Sequence, residues 1–577
     1  MKEERQRELG MWAGAILLYT ATAVADFVLP LGRHFGERLL GTALFAPDPI
    51  LNAGILEWGY RSLWSPTLRI FQWNAGFPLR DSLAVTENLI GWQLFYVPSR
   101  LLGGPVFSYN LCIVISFVLS GCGAALLARR LGADRTGAVV AGFIFAFVPF
   151  HLNHVIHIQT MAVCDVPFVL YFLDRYLARP SVIRALPLAA AYLLAALSSL
   201  YLGVFLFVLA PSYAILTAIL GRYQVSSRAW GGLLAIALVS AGLLLPVVLP
   251  YRRFGAAHGY RHPVGTVARF SLEVLAILKT PSWVAIWSHG PIPRRNDWTP
   301  AFPGVIASVL AFFFLFRRAA DPDARRVKIT LVVLGFGAFL FSLGPILKIH
   351  AYDPIWSAAW LPLPGTVFRF FSEVRWPMRI LLFAFLFGAI GCGLGFSQAT
   401  KRLPPSTRWA AAAAAIVLLF IEYRPRPAYA GASLPLPSPL AISEAYPFLA
   451  SESEAGGIVE LPDIDADGDR VPNLVRYVYG SSGHLRRVVA YHGSVLPPIT
   501  RSLLDAAGNL PNETSCRFLV ARGVTRVVIH NEPMLGDSEE PRRDEFLRAG
   551  YRPLFQSAHA AVFSLENPCP AGVGPGR

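Results

Sequence analysis

Charged residues are scarce in this chain. Asp, Glu, Lys and Arg make up 15% of its 577 residues, against about a quarter in a typical soluble domain. That shortage excludes a soluble globular protein, because the charge-free runs it leaves reach the roughly 20 residues a helix needs to cross a bilayer. These runs are rich in Leu and Ala and do not alternate polar with apolar, which excludes a membrane barrel. Cysteine is scarce too, at six residues. Cys112, Cys122, Cys164 and Cys392 lie in apolar runs and read as small core residues. Cys516 and Cys569 lie near the C-terminus and can pair if that part is exported. There is no Walker loop, no H-E-x-x-H and no nucleophile elbow, and no repeat of fixed period. The net charge is +15, yet no Lys/Arg-rich block suits nucleic acid, which is discounted as a partner. The first apolar run has no clear small-residue cleavage site and reads as an anchor, not a removable signal.

What is there is a series of apolar runs. Spans are expected near 10–31, 106–128, 136–150, 160–177, 185–200, 202–220, 229–250, 301–316, 329–347, 378–399 and 405–421. Arg and Lys fall in alternate short loops: Arg129, Arg130 and Arg135; Arg175, Arg179 and Arg184; Arg222 and Arg228; Arg317 through Lys328; Lys401 through Arg408. The bias toward positive charge on the inner side places the N-terminus inside, and an odd number of spans places the C-terminus outside. Three loops on the outer side are long, 32–105, 251–300 and 348–377, and carry many Trp, Tyr, Pro and Arg residues.

Composition changes near residue 423. A Pro-rich linker, 423–445, follows the transmembrane part, 1–422. Beyond it, "GGIVELP", "RRVVAYHG", "VTRVVIH" and "AAVFSLE" read as strands, with helical stretches near 514–522 and 541–549. The expected fold class is an all-α polytopic membrane protein of about eleven helices, with amphipathic helices in the first outer loop and a small extracytoplasmic α/β domain over 446–577.

Candidate site residues lie on the outer side. Asp48 stands between Pro47 and Pro49 at the start of "PILNAGILEWGYRSLW". Asp before Pro is a preferred helix cap, and the run after it is expected to lie as an amphipathic helix on the membrane surface. A rigidly held carboxylate at that face is also the group needed to take a proton from an acceptor hydroxyl. Glu57 and Glu87, in the same loop, are candidates for lining the site or are solvated acids. "HLNHVIHIQT" offers His151, His154 and His157, of which His154 and His157 are assigned to a polar cavity and a metal site is the lesser reading. Asp26 and Asp165 can face the same cavity; Asp174 can reach the inner surface. Arg252, Arg253 and Arg261, then Arg369, Arg375 and Arg379, form outer clusters suited to phosphate oxygens or to ordinary headgroup anchoring. "DIDADGDR", 463–470, imitates the start of a calcium loop, but its twelfth position is Leu474, not Glu. "NET" at 512–514 matches a glycosylation sequon.

These features together resemble the bacterial GT-C-type glycosyltransferases, multi-span enzymes that take sugars from polyprenyl-phosphate donors. The resemblance is carried by "PDPILN", "TENLIGWQLFYVPSRLLGGPVFSYNLCIVISFVLSGCGAALLARRLG", "FIFAFVPFHLNHVIHIQ", "LSSLYLGVF", "FPGV" at 302–305, "SLGP" at 342–345 and "LPGTVFRFFSEVRWPMRILL". It covers most of residues 10–422 and fades beyond them. It implies a GT-C-like fold in the inner membrane of a bacterium and an inverting transfer of a hexose or pentose. The implied partners are a polyprenyl-phosphate-linked sugar, a glycan, lipid or protein acceptor, and membrane lipids. The family's acidic residue in the first outer loop maps to Asp48. Many members carry paired acids there, whereas Asp48 is flanked by prolines, so no cofactor is assigned and a divalent cation at the Asp48 site stays open. Two alternatives remain at this point: a non-catalytic protein that binds or moves lipid-linked glycans, and a secondary transporter, which fits poorly without inverted halves.

Overall fold

The computed structural model describes residues 2–42, 47–259, 262–287, 300–350, 353–354, 375–426, 429, 431–453, 456–462, 471–493, 495–531, 540–566 and 569–570. Arg261, Arg369 and the acidic run 463–470 lie outside the described residues. Among these residues seven helices are long and apolar enough to cross a membrane: Glu3–Val28, Pro105–Arg130, Arg135–Ile156, Leu200–Ile219, Ser227–His258, Pro377–Thr400 and Pro405–Tyr423. Val182–Ser198 and Val305–Phe316 are apolar but shorter. The remaining expected spans are helical as Val166–Ala178 and Pro322–Ser342. The protein is a multi-pass membrane protein. By length and composition seven helices qualify as spans, against the eleven expected.

The chain divides into two compact units. The first holds 1–32, 113–245 and 261–431; the second holds 33–112, 246–260 and 432–577. In the first unit, small residues let helices approach closely. Gly137 and Gly393 face one another, and a Cβ on either would overlap the other's carbonyl oxygen. Close backbone contact of this kind holds helices together where lipid removes the hydrophobic drive. Helix starts are capped where charge permits. Asp134 accepts from the Gly137 N–H at 2.8 Å, and Asp321 accepts from the Ala324 N–H at 2.8 Å. Glu422, near the end of Pro405–Tyr423, caps a different helix, Val305–Phe316. It accepts from the Val305 N–H, from the Ile306 N–H at 3.2 Å and from the Trp287 indole at 3.2 Å.

In the second unit the segment after residue 432 is a mixed α/β fold. Its strands are β1 (Gly457–Leu461), β2 (Arg487–Val488), β3 (Val524–His530), β4 (Pro553–Gln556) and β5 (Ala560–Ser564). They form one sheet in the order β2-β1-β3-β5-β4. β1 pairs in parallel with β2 and β3, while β5 runs antiparallel to β3 and β4. Each strand of the sequence reading is present, as are the helices Glu513–Val520 and Glu540–Arg548. Asn512 caps the former, accepting from the Thr514 and Ser515 N–H groups at 2.8 and 3.3 Å. Cys516 and Cys569 are disulfide-bonded.

Residues 33–112 are part of this same unit. Residues 74–77 run alongside β2: the Gly76 N–H donates to Ala490 (3.0 Å), the Phe77 N–H to Val488 (2.9 Å), and Val488 donates back to Asn74 (2.8 Å). The helix Pro47–Trp64 packs on Val471–His484, with Gly54 so close that a Cβ would stand 3.2 Å from the Tyr479 Cα. This corrects the expectation of a helix lying on the membrane. Every residue from Pro49 to Gly59 is buried, and the partner is protein. The run is apolar on nearly all sides, as a core helix must be.

Candidate active site

Asp48 lies in the first turn of Pro47–Trp64 and is half-buried. The helix begins at Pro47, one residue before it, so Asp48 is inside the helix and not at the cap position expected for it. A carboxylate in a first turn is favoured by the positive end of the helix. Close by is Tyr109, whose hydroxyl interacts electrostatically with Asp48. Tyr109 is fully buried and its hydroxyl has no hydrogen-bond partner among the described residues. An unsatisfied buried hydroxyl costs roughly 1–3 kcal/mol, so it marks a place where a further polar group is wanted.

Glu57, two to three turns along the same helix, is fully buried. Its carboxylate accepts from Arg61 Nε (3.0 Å), from Arg100 Nε (2.9 Å) and Nη2 (3.2 Å), and from the Tyr96 hydroxyl (2.9 Å). This cluster ties Pro47–Trp64 to the helix Gln93–Arg100, and it accounts for Glu57 structurally. Glu87 sits half-buried in an irregular segment between them. On either side of it, the Thr86 carbonyl accepts from the Tyr251 hydroxyl (2.7 Å) and Asn88 Nδ2 donates to that same hydroxyl (3.3 Å). The Glu87 segment is thus fastened to the end of Ser227–His258 that carries Arg252 and Arg253. Arg252 is exposed. Arg253 Nε pairs with Asp81 at 3.1 Å. Asp81 holds a left-handed backbone, with φ of 51°, a conformation uncommon outside glycine.

The other candidates belong to the first unit and gather around Trp376. Arg379 lies over the Trp376 ring at 4.8 Å and over Tyr201 at 5.6 Å. His157 meets the edge of Trp376 at 5.3 Å. Phe270 stacks on Trp376 at 4.3 Å, and Arg375 lies over Phe270 at 4.6 Å. The Tyr201 hydroxyl donates to the Trp376 carbonyl. His154 is 5.9 Å from His157, ring to ring, and its Nδ1 bonds the Phe150 carbonyl at 2.7 Å. Arginine over aromatic rings is held by the ring quadrupole without losing its charge. Two guanidinium groups are therefore kept cationic and oriented along one stacked row. His262 is also near, its imidazole pushed below the usual histidine value by burial and then by the Arg375 charge. His151 stands apart, against Phe117 and Phe145, with Nδ1 on the Phe145 carbonyl at 3.1 Å.

Three further acids have their own settings. Asp26 is buried in a π-helical turn, Val24–Val28, with Arg424 in electrostatic reach. Asp165 is buried and hydrogen-bonded to Ser198. Asp174 is fully buried, not at the surface as expected, and is bound by Arg130 (2.6 Å), Arg222 (3.1 Å), Tyr213 (2.7 Å) and Tyr223 (2.9 Å). A buried carboxylate needs such compensation to stay charged. Among the described residues no group of three or more His, Cys, Asp or Glu side chains is placed to hold a metal ion.

Sequence reasoning missed Trp376, Tyr201, Tyr109 and Tyr251. "RWPMR" placed an aromatic between two arginines spaced by four, the one signal that pointed to Trp376. It missed as well a buried cationic cluster: Lys279 pairs with Glu273, and Lys348 Nζ donates to the Ser271 carbonyl at 2.9 Å. Burial, offset in part by Glu273 and reinforced by Lys279, pushes Lys348 down to about 8.

Residues 94–422 match the family described as "Domain of unknown function (DUF6311)", and the chain belongs to that family. The structure is similar to the cryo-EM structure of the arabinofuranosyltransferase AftD from mycobacteria, with a TM-score of 0.55 at 15% identity. The match covers 96% of this chain and 41% of that one, so this chain spans about two fifths of that protein's length. Weaker matches are ArnT from Cupriavidus metallidurans bound to undecaprenyl phosphate (TM-score 0.43, 14% identity, 97% of this chain and 99% of that one) and the oligosaccharyltransferase AglB from Archaeoglobus fulgidus with an inhibitory peptide and a dolichol-phosphate (0.40, 12%, 96% and 74%). At those scores they carry no argument. No curated protein sequence matches the chain.

Proposed function

We propose that the protein is an inverting glycosyltransferase that moves a sugar from a polyprenyl-phosphate donor to an acceptor hydroxyl at the outer face of the cytoplasmic membrane. The observation that carries this reading is Asp48: a half-buried carboxylate held in a first helical turn beside the Tyr109 hydroxyl, which has no hydrogen-bond partner among the described residues. The fold shared with an arabinofuranosyltransferase supports it.

In this mechanism Asp48 accepts the proton of the acceptor hydroxyl. The oxygen's electron pair forms the new bond to the anomeric carbon. The bond from that carbon to the phosphate oxygen breaks, and the lipid phosphate leaves with the pair. Cationic groups take up the charge on the leaving phosphate; Arg252, in the same unit as Asp48, is assigned this role, with Arg253 partly neutralised by Asp81. Glu57 is assigned to structure, and Glu87 to the acceptor side. No nucleotide is required, because the donor arrives activated on its lipid. The disulfide at Cys516 supports an exported second unit, since such bonds persist in oxidising compartments.

The test is purification into lipid discs, mass spectrometry for a copurifying polyprenyl lipid, and an assay with labelled polyprenyl-phosphate sugars. Donor-dependent product is expected. Glycan binding with no product from any donor would replace the reading with a non-catalytic protein that binds or moves lipid-linked glycans.

A further inference from the structure

The inner-side loop between Val166–Ala178 and Val182–Ser198 borders a cavity of about 500 Å³, lined by Phe172, Arg175, Ser181, Ile183, Arg184 and Pro187. Neither of its two arginines makes an ion pair among the described residues. Among the described residues Arg175 contacts only the Tyr171 ring and hydroxyl, and Arg184 uses a single nitrogen, Nη1, for the Arg175 and Arg179 carbonyls, each at 3.1 Å. The neighbouring acid, Asp174, is not available to them, because Arg130 and Arg222 already occupy it. Arg179 adds a third positive charge to the same loop. Three of the other lining residues, Phe172, Ile183 and Pro187, are apolar. Ile183 is 83% exposed and its neighbours Val182 and Leu186 are 75% and 65% exposed, which in a membrane-spanning chain is a surface for acyl chains.

We propose that this cavity is a binding site for an anionic phospholipid, with the phosphate on Arg175 and Arg184 and an acyl chain along Phe172, Ile183 and Pro187. The guanidinium fork matches phosphate oxygens, and basic pockets between membrane helices hold anionic headgroups. The apolar lining residues select a lipid over free phosphate. The site needs only that the chain spans a membrane and stands without the sugar-transfer reading.

The full chain is reconstituted in phosphatidylcholine discs with and without phosphatidylglycerol, and retained lipid is counted by native mass spectrometry after mild delipidation. Wild type is expected to retain phosphatidylglycerol over phosphatidylcholine. Arg175→Gln with Arg184→Gln is expected to lower that preference by roughly thirtyfold, a factor of about five for each arginine at the surface. Arg175→Lys with Arg184→Lys, which keeps the charge, is expected to retain most of it, with an unchanged melting temperature showing that the fold survives. Equal retention of the two lipids by wild type, or the same preference in the Gln pair, overturns the proposal. So does displacement of the lipid by inorganic phosphate alone.

Discussion

Two close helix contacts, one in each unit, are made from different materials. Gly137 and Gly393 in the first unit meet backbone to backbone, flanked by the small side chains of Ser397 and Ala141. Gly54 in the second unit lies against Tyr479, and three residues along the helix Glu57 is sealed in among Arg61, Tyr96 and Arg100. In lipid, close packing is itself the attraction. Where the core is protein, apolar burial supplies the drive, and a charge inside must be answered by another. The Gly137–Gly393 contact is therefore sensitive to added volume alone. The contact around Gly54 and Glu57 is sensitive to added volume and to removed charge, and its helix is the one that carries Asp48.

The largest expected effect tests the first half of that contrast. Gly137→Leu forces side-chain atoms into the Gly393 carbonyl and should cost about 3 kcal/mol or more, read as loss of monodisperse protein or a lower melting temperature in detergent. The milder Gly54→Ala, with a Cβ 3.2 Å from its neighbour, should cost about 1 kcal/mol. Equal damage from both would erase the distinction.

Next comes the charge. Glu57→Gln leaves Arg100, only 16% exposed, without its carboxylate and should cost about 3 kcal/mol; the half-exposed Arg61 adds little. Limited proteolysis of the second unit reads this. A variant with an unchanged melting temperature but a raised KM for a sugar donor would instead make Glu57 a ligand.

Replacing Cys516 and Cys569 by Ser opens a bridge between residues 53 apart and should lower the second unit's stability by about 2–4 kcal/mol, with the first unit's melting unmoved. The most gradual effect is that of pH. Burial, with the charges of Arg486 and His530 adding to it, pushes His484 down to about 3. The folded unit then binds fewer protons than the unfolded chain, so its stability is full above the ordinary histidine value of about 6.5. It falls as acid is added between there and about 3, by up to about 1.4 kcal/mol per pH unit. His484→Phe should flatten an acid-denaturation curve over that window.

The fold was legible where the signal is local. Long apolar runs became helices, and alternating β-branched runs became β1, β2, β3 and β5, because periodicity and propensity act over a few residues. What was not legible depends on partners distant in sequence. "PILNAGILEWGYRSLW" reads as a surface helix until residue 479 is seen against residue 54. Asp174 reads as a surface acid until Arg130, Tyr213 and Arg222 are brought to it. Asp48, Arg375 and Arg379 are candidates by residue type beside a membrane span. The aromatic row that orients the arginines could not be picked out, since Phe270 and Trp376 are more than a hundred residues apart.

The most direct test of the central claim is transfer by Asp48→Asn. The variant keeps the shape of the side chain and removes the base. With folding shown by an unchanged melting temperature, the account predicts a loss of roughly a hundredfold or more in kcat on labelled polyprenyl-phosphate sugars, with donor binding retained. Full transfer activity in the folded variant would contradict it.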